Sequence, residues 1–286
     1  MEITVKNVLT IDVEDWYTSS LALFHSSGLP YGSKPKESVV GNTREVLEML
    51  QKYGHKATFF VLATVARYYP HLVKEIHDQG HEVATHGYSH RLVYQMQPQE
   101  FKKDLVKSIG LIEEVIEERV IGHRAGYFSV TKKSLWALDI LVKHGINYDS
   151  SIFPIRRKLY GIHDFPRFAC IVNKQGNHPL WEIPPSTISF LRQNFPISGG
   201  GYLRVFPYSF IKWGIRKLNK EGHPAVIYMH SYEIDPEDIE IRHASRDWRT
   251  NFTLFTQRMN RSRFQEKIRR LLDDFKFCSI REVFNL

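Results

Sequence analysis

Residues 8–11 form a run that is apolar on both faces, a pattern suited to a strand covered on both sides. Strand-like and helix-like stretches then alternate. Helical spacing runs over residues 42–53 through Val46, Leu47 and Leu50, with Asn42 and Glu45 in capping-box positions and Gly54 as the stop. Residues 57–62 read as a buried strand, 70–79 as a helix and 81–85 as a strand. A helix over 98–118 carries Leu105, Ile109, Ile112, Val115 and Ile116, followed by a strand at 120–122, a helix over 131–143 and a strand at 146–149. This rhythm predicts an α/β fold of parallel strands joined by crossover helices, either a closed barrel or an open doubly wound sheet. In both, function gathers at the carboxyl ends of the strands.

Past Asp149 the pattern is less regular, and prolines 154, 166, 179, 184, 185 and 196 break it into loops and short strands. The stretch Ser198-Gly-Gly-Gly-Tyr202 is a turn without the Gly-Lys-Ser/Thr ending of a phosphate-binding loop. A helix is expected over 207–220, a strand over 225–229 ending at His230, and a last amphipathic helix over 252–275. The apolar side of that helix would hold Phe255, Met259, Ile268, Leu271 and Leu272. Without an internal repeat or a clear linker, the chain reads as one domain, with a core to about residue 234 and an extension over 235–286 packed on it.

At 286 residues with 42% apolar and 24% charged side chains, the composition is that of a globular enzyme and excludes wholesale disorder. No stretch approaches the ~20 apolar residues of a membrane span. The N-terminus has no signal-peptide form, so the expected location is cytoplasmic. Cys170 and Cys278 read as two buried free thiols. A net charge of +8 points to an anionic partner such as a membrane surface, a lipid phosphate or an acidic glycan. With no zinc finger, RNP-type motif or Lys/Arg block, nucleic acid is not expected.

Two groups of side chains carry chemistry. Asp12, Glu14 and Asp15 follow the first strand, and His86 and His90 follow another. Two imidazoles four apart with a carboxylate from a second strand end can hold one divalent metal while leaving positions for water. Such a histidine pair is weak by itself. His77 and His81 repeat the spacing but fall on a helix and the turn after it, and read as solvated surface histidines. Asp12, at the end of a buried strand, needs a partner, which Arg124 or a metal could supply. His230 ends a strand as well, and serves as a general acid or as a satisfied core histidine.

Read in order, TIDVEDWY, KATFFVLATVA, HEVATHGYSH, GHRAGYFS, INYDSSIFP, WEIPPST and VIYMHSYEID resemble the motif series of polysaccharide deacetylases with the NodB homology domain. SGGGYLRVFPYSF and residues 232–284 look like the C-terminal extension of a bacterial subgroup tied to exopolysaccharide synthesis and exosortase loci. The resemblance implies a distorted (β/α) barrel of about seven parallel strands. It further implies a divalent metal, usually Zn2+ with Co2+, Ni2+ or Mn2+ as alternatives, and removal of N-acetyl groups from a glycan; the basic charge near the C-terminus adds the expectation that this glycan is lipid-linked and met at the inner membrane face. The basic groups Arg258, Arg261, Arg263, Lys267, Arg269 and Arg270 would then approach anionic headgroups.

By the same resemblance Asp12 is the catalytic base, His86 and His90 are metal ligands, and Glu14 or Asp15 is the third ligand. Strand alternation ranks Glu14 first. Arg124 tethers the base, the Tyr127 backbone N–H binds the oxyanion, His230 is the general acid, and Asp149 and Trp181 shape the substrate site. Gly126 stands where relatives often carry proline, which implies a less constrained oxyanion loop. The rival readings are a cyclic amide or ureide hydrolase of the same superfamily and a catalytically silent glycan-binding module.

Overall fold

The strands along the chain are β1 (Asn7–Val13), β2 (Thr58–Val61), β3 (Glu82–Thr85), β4 (Gly122–His123), β5 (Tyr148–Asp149), β6 (Cys170–Gln175), β7 (His178–Glu182), β8 (Thr187–Phe190), β9 (Gln193–Pro196), β10 (Val226–His230) and β11 (Phe277–Cys278). The computed structural model describes residues 5–17, 31–157, 159–175, 178–237 and 248–286. β1 is buried over its whole length. It pairs in parallel with β10 on one edge and β2 on the other, and the order continues through β3, β4, β5 and β7, all parallel. β6 adds an antiparallel edge to β7, and β11 pairs in parallel with the start of β1.

This mostly parallel sheet curls into a half-barrel, the distorted barrel expected from the motifs. Its outer parallel strands, β7 and β10, meet through Ser186. The Ser186 N–H donates to the Val226 carbonyl at 3.0 Å, and the Val226 N–H donates to Ser186 Oγ at 2.7 Å.

Alternation along β1 sorts its side chains. Leu9, Ile11 and Val13 enter the large apolar core, while Val8 joins Phe60, Ala84, Tyr148, Ile183 and Val226 in a smaller cluster. Thr10 and Asp12 share the Val8 side. That face therefore turns from apolar to polar towards the carboxyl end of the strand.

The helices are α1 (Ser38–Tyr53), α2 (Ala63–Tyr68), α3 (Pro70–Asp78), α4 (Pro98–Ile116), α5 (Trp136–Lys143), α6 (Gly200–Val205), α7 (Tyr208–Lys220), α8 (Trp248–Arg258), α9 (Phe264–Asp274) and α10 (Ile280–Phe284). Several depart from their expected bounds. α1 begins at Ser38, because the fully buried Val39 anchors its first turn; Asn42 lies buried inside the helix, so no capping box forms there. α5 begins at Trp136 rather than 131, since the Ser134 hydroxyl accepts the Thr131 N–H at 2.9 Å and holds the preceding residues in a turn.

The expected last helix is two helices. Asn260, at φ 57°, ends α8, and α9 starts only after a short 3₁₀ turn. The break lets the buried Arg261 side chain donate to the Tyr232 and Asp235 carbonyls at 3.0 and 2.9 Å. Phe255 is 62% exposed and lies off the apolar stripe, which Phe264, Ile268, Leu271 and Leu272 form instead. Cys278 is buried but Cys170 only half-buried, and both are free thiols. No helix among the described residues is long and apolar enough to cross a membrane.

Candidate active site

The carboxyl ends of β1, β3, β4 and β10 converge. Two residues past Asp12, Glu14 is 1% exposed, and its Oε2 lies 2.9 Å from His90 Nε2 and 3.9 Å from His86 Nε2. His86 follows β3 directly. Its Nδ1 donates to the Arg124 carbonyl at 2.8 Å, which leaves the Nε2 lone pair towards Glu14. Gly87, at φ 75°, turns the chain, and the Asp104 carboxylate of α4 accepts the Tyr88 and Ser89 N–H groups at 2.8 and 3.1 Å. That brace fixes the turn which carries His90 back beside His86.

Among the described residues, Glu14, His86 and His90 are the group whose ligand atoms all lie within 4.8 Å of one another. Burial pulls the His86 pKa down to about 3, with only partial opposition from Glu14, so the ring is neutral and ready to ligate. Burial works to raise the Glu14 pKa, yet the His90 charge and hydrogen bond, with a smaller contribution from His230, bring it below the ordinary value. Apart from its 2.9 Å approach to His90 Nε2, Glu14 Oε2 has no hydrogen-bond partner. A buried carboxylate with an open oxygen beside two imidazoles is a donor set that fits a divalent cation. Asp15 turns elsewhere, its Oδ2 accepting the Lys36 N–H at 2.9 Å.

Asp12 meets the Arg124 guanidinium, with Nη1 donating to Asp12 Oδ1 at 2.7 Å and to Thr10 Oγ1 at 2.9 Å. Arg124 also binds the Ser150 carbonyl and hydroxyl at 3.2 and 2.9 Å, and its guanidinium lies 4.1 Å from the Phe60 ring centre. It is fully buried, behind the site and not in it. His230 Nε2 stands 3.9 Å from Asp12 Oδ2 and 3.7 Å from Glu14 Oε1. Burial works to lower the His230 pKa, but the Glu233 hydrogen bond and the charges of Glu233, Glu14 and Asp12 leave it raised.

Asp12, Glu14, His86, His90 and His230 line one cavity of about 450 Å³, walled by Trp16, Tyr127, Tyr160, Tyr202 and Tyr232. Tyr127 has φ 56°, a left-handed conformation uncommon outside glycine, and its ring packs on His90 at 5.0 Å between centroids. At Gly126 a Cβ would fall 2.8 Å from His90 Cδ2, so the missing side chain is the space His90 fills. The loop there is braced rather than loose, since Phe128 and Ser129 donate N–H groups to the Ala125 and Gly126 carbonyls at 3.1 Å each.

Other expected residues lie elsewhere. Asp149 is fully buried with its Oδ1 on His123 Nδ1 at 2.8 Å and Ser151 Oγ at 2.5 Å, and Trp181 packs half-buried in the small cluster with Tyr148. Neither lines the cavity. His77 and His81 are apart from it too, and His81 is a buried ring tilted on Phe59, not a surface histidine. Of the basic residues near the C-terminus, Arg261 and Lys267 turn inward onto backbone carbonyls, and Arg270 lies 4.0 Å over the Tyr208 ring. Arg258, Arg263 and Arg270 are exposed, so three of the six expected basic groups face outwards.

Sequence reading passed over Glu233, Arg204 and Asp104. Glu233 Oε2 accepts the His230 N–H and Nδ1 at 3.0 and 3.1 Å, and Arg204 Nε binds Glu233 Oε1 at 3.1 Å. Its one sequence signal is the His-x-x-Glu spacing, which puts both residues on one turn.

Residues 30–148 match the family described as polysaccharide deacetylase, and residues 150–285 match a domain of unknown function, DUF3473. A peptidoglycan deacetylase of Helicobacter pylori is 31% identical over 107 residues, 37% of this chain and 36% of that protein. This chain spans about a third of the length of such curated relatives. A solved structure from Mycobacterium smegmatis assigned to the polysaccharide deacetylases shares the fold at TM-score 0.62 and 20% identity, over 99% of this chain and 89% of that one. Puue allantoinase does so at TM-score 0.60 and 13% identity, over 98% and 89%. The two matches together span nearly all of the chain, which therefore carries a polysaccharide deacetylase domain followed by a DUF3473 domain.

Proposed function

We propose that this protein is a metal-dependent hydrolase that removes N-acetyl groups from amino sugars of a glycan, releasing acetate. The observation that carries the reading is the convergence of Asp12, Glu14, His86, His90 and His230 on one aromatic-walled cavity. Glu14, His86 and His90 hold the divalent ion, with Zn2+ first and Co2+, Ni2+ or Mn2+ as substitutes. When bound, that ion polarises a water and the amide carbonyl.

The side chains do the rest. Asp12, paired with Arg124, takes the proton of the attacking water. The Tyr127 N–H donates to the oxyanion, an interaction commonly worth about 3 kcal/mol. His230 gives its proton to the departing nitrogen, which leaves poorly as an anion. Aromatic walls suit stacking on sugar rings. Asp149 and Trp181 act by supporting the strands behind the cavity. The chain works as one unit, since residues from both family matches line the same cavity.

The experiment is acetate release from N-acetylated oligosaccharides, with bound metal measured on the same sample. Metal-dependent acetate release supports the reading, whereas full metal loading without any release sinks it and leaves a silent glycan-binding module. The fold likeness to an allantoinase makes cyclic ureides the second substrate class for the same panel. We place the reaction in exopolysaccharide synthesis on a lipid-linked glycan. Val205, at the cavity mouth, and Trp213 on α7 are 49% and 51% exposed and offer an apolar contact for a bilayer. Flotation with liposomes tests this, and absence of co-flotation on anionic and neutral vesicles alike rejects it.

A further inference from the structure

The DUF3473 segment supplies His230 itself and everything that orients its far side. Glu233 is 1% exposed, and one of its oxygens, Oε2, accepts both the backbone N–H and the ring Nδ1 of His230. A carboxylate oxygen facing Nδ1 requires the proton there, so the nitrogen aimed at Asp12 and Glu14 is Nε2. Tyr232 stacks on the same ring, 4.9 Å between centroids and 16° from parallel. The imidazole is thus fixed in rotation and in tilt.

Glu233 is held in turn. Its Oε1 takes Arg204 Nε, and Arg204, 3% exposed, extends Nη1 to the Gln257 carbonyl and Nη2 to Gln257 Oε1 at 3.2 Å. The short helix α6 is clamped at the same C-terminal end that carries Arg204, where Lys267 Nζ donates to the Leu203 and Phe206 carbonyls at 2.5 and 2.7 Å. At Gly200 a Cβ would fall 1.5 Å from Glu233 Oε2, so the triple glycine is what lets this backbone close on the carboxylate.

We infer that Glu233 is a positioning residue that holds His230 for proton delivery to the leaving nitrogen, and that Arg204, anchored on the C-terminal end of α8, fixes Glu233. This rests on the deacetylase reading above. It assigns to the segment of unknown function the task of orienting the acid. A plain buried ion pair that only fastens α6 is the competing account.

The test uses the full-length, zinc-loaded protein with two substrates. One is an N-acetylated chito-oligosaccharide, whose amine must be protonated to leave; the other is 4-nitrophenyl acetate, whose phenolate leaves without help. Glu233→Gln should lower kcat on the amide by about 10–100-fold with KM nearly unchanged, and ester hydrolysis far less, because general acid catalysis serves only the poor leaving group. In a His230→Ala background, Glu233→Gln should cost nothing further. Equal loss on both substrates, or a full additional loss in the double variant, overturns the proposal. Should Glu233→Gln not fold, Glu233→Asp, which keeps the charge but retracts the carboxylate, carries the same comparison. If His230→Ala leaves amide turnover intact, His230 is not the acid and the proposal falls with it, whereas a zinc-loaded wild type that releases no acetate sinks the deacetylase reading itself, a result distinct from failure at Glu233.

Discussion

Replacing Arg124 by methionine should unfold the protein more readily than any single surface change, and the reason lies in Asp12. Arg124 is fully buried and donates to four acceptors, the Asp12 carboxylate, Thr10 Oγ1, the Ser150 carbonyl and Ser150 Oγ. The hydroxyl groups keep other partners, because Thr10 donates to the Ile227 carbonyl and Ser150 to the Ile183 carbonyl. Asp12, 1% exposed, loses the cation it hydrogen-bonds to and keeps only His230 at 3.9 Å among the described residues. Removing one partner of a buried ion pair typically costs about 3–5 kcal/mol, because the charge left behind is desolvated and uncompensated. Against a total stability of about 5–15 kcal/mol this is a large fraction, worth roughly 10 °C in Tm. Urea titration of wild type, Arg124→Met, Asp12→Asn and the double variant measures the coupling. The double variant should recover at least about 2 kcal/mol relative to Arg124→Met, since Asn in place of Asp leaves no orphaned charge. A double variant no more stable than Arg124→Met would refute the idea that the stranded carboxylate is the source of the loss.

Further outcomes follow from the same geometry. Glu14→Gln should weaken metal binding beyond the roughly 10–100-fold that losing an outer-shell partner costs, while Asp15→Asn leaves it near wild type. Competition with a chelator reads both, and equal losses would count against Glu14 as the ligand. Gly126→Ala should weaken metal binding by displacing the His90 ring, whose Cδ2 lies 2.8 Å from the new Cβ; unchanged affinity would mean the loop yields freely. Burial, aided by Lys56, depresses the His81 pKa to about 4. A folded value below the unfolded one favours the neutral form, so this contribution is complete above pH 6.5 and is lost as pH falls towards 4. The loss is on the order of 3 kcal/mol. In His81→Gln the fall in urea midpoint between pH 7 and pH 4 should be correspondingly smaller, and an identical fall would reject the assignment.

The first half of the chain was legible because its strands are buried on both sides and its helices keep an apolar stripe, so both periods appear in the residues themselves. The same alternation that puts Leu9 and Ile11 into the core places Asp12 and Glu14 on the opposite side, which is why spacing separated these two carboxylates from Asp15. Boundaries were lost where one buried side chain outweighed local preference. Val39 extends α1 backwards past its expected start, and Arg261 interrupts what reads as one long amphipathic helix. The positions of Asp149 and Trp181 were misjudged because a strand-end residue can face either way, and theirs face the packing layers. Arg204 and Glu233 escaped because a buried ion pair between residues 29 apart leaves no periodic trace.

β1 recruits its three neighbours from remote parts of the polypeptide: Thr10 lies beside Thr58, Val8 beside Val226, and Asn7 beside Phe277. Loop-closure entropy of that kind slows assembly. A ribosome must therefore deliver almost the whole of this sequence before its first strand is enclosed, and until then Asp12 has neither His230 opposite it nor a cavity to serve. Any shortening that removes Phe277 strips a pairing from the strand that carries Asp12, far from where the cut was made.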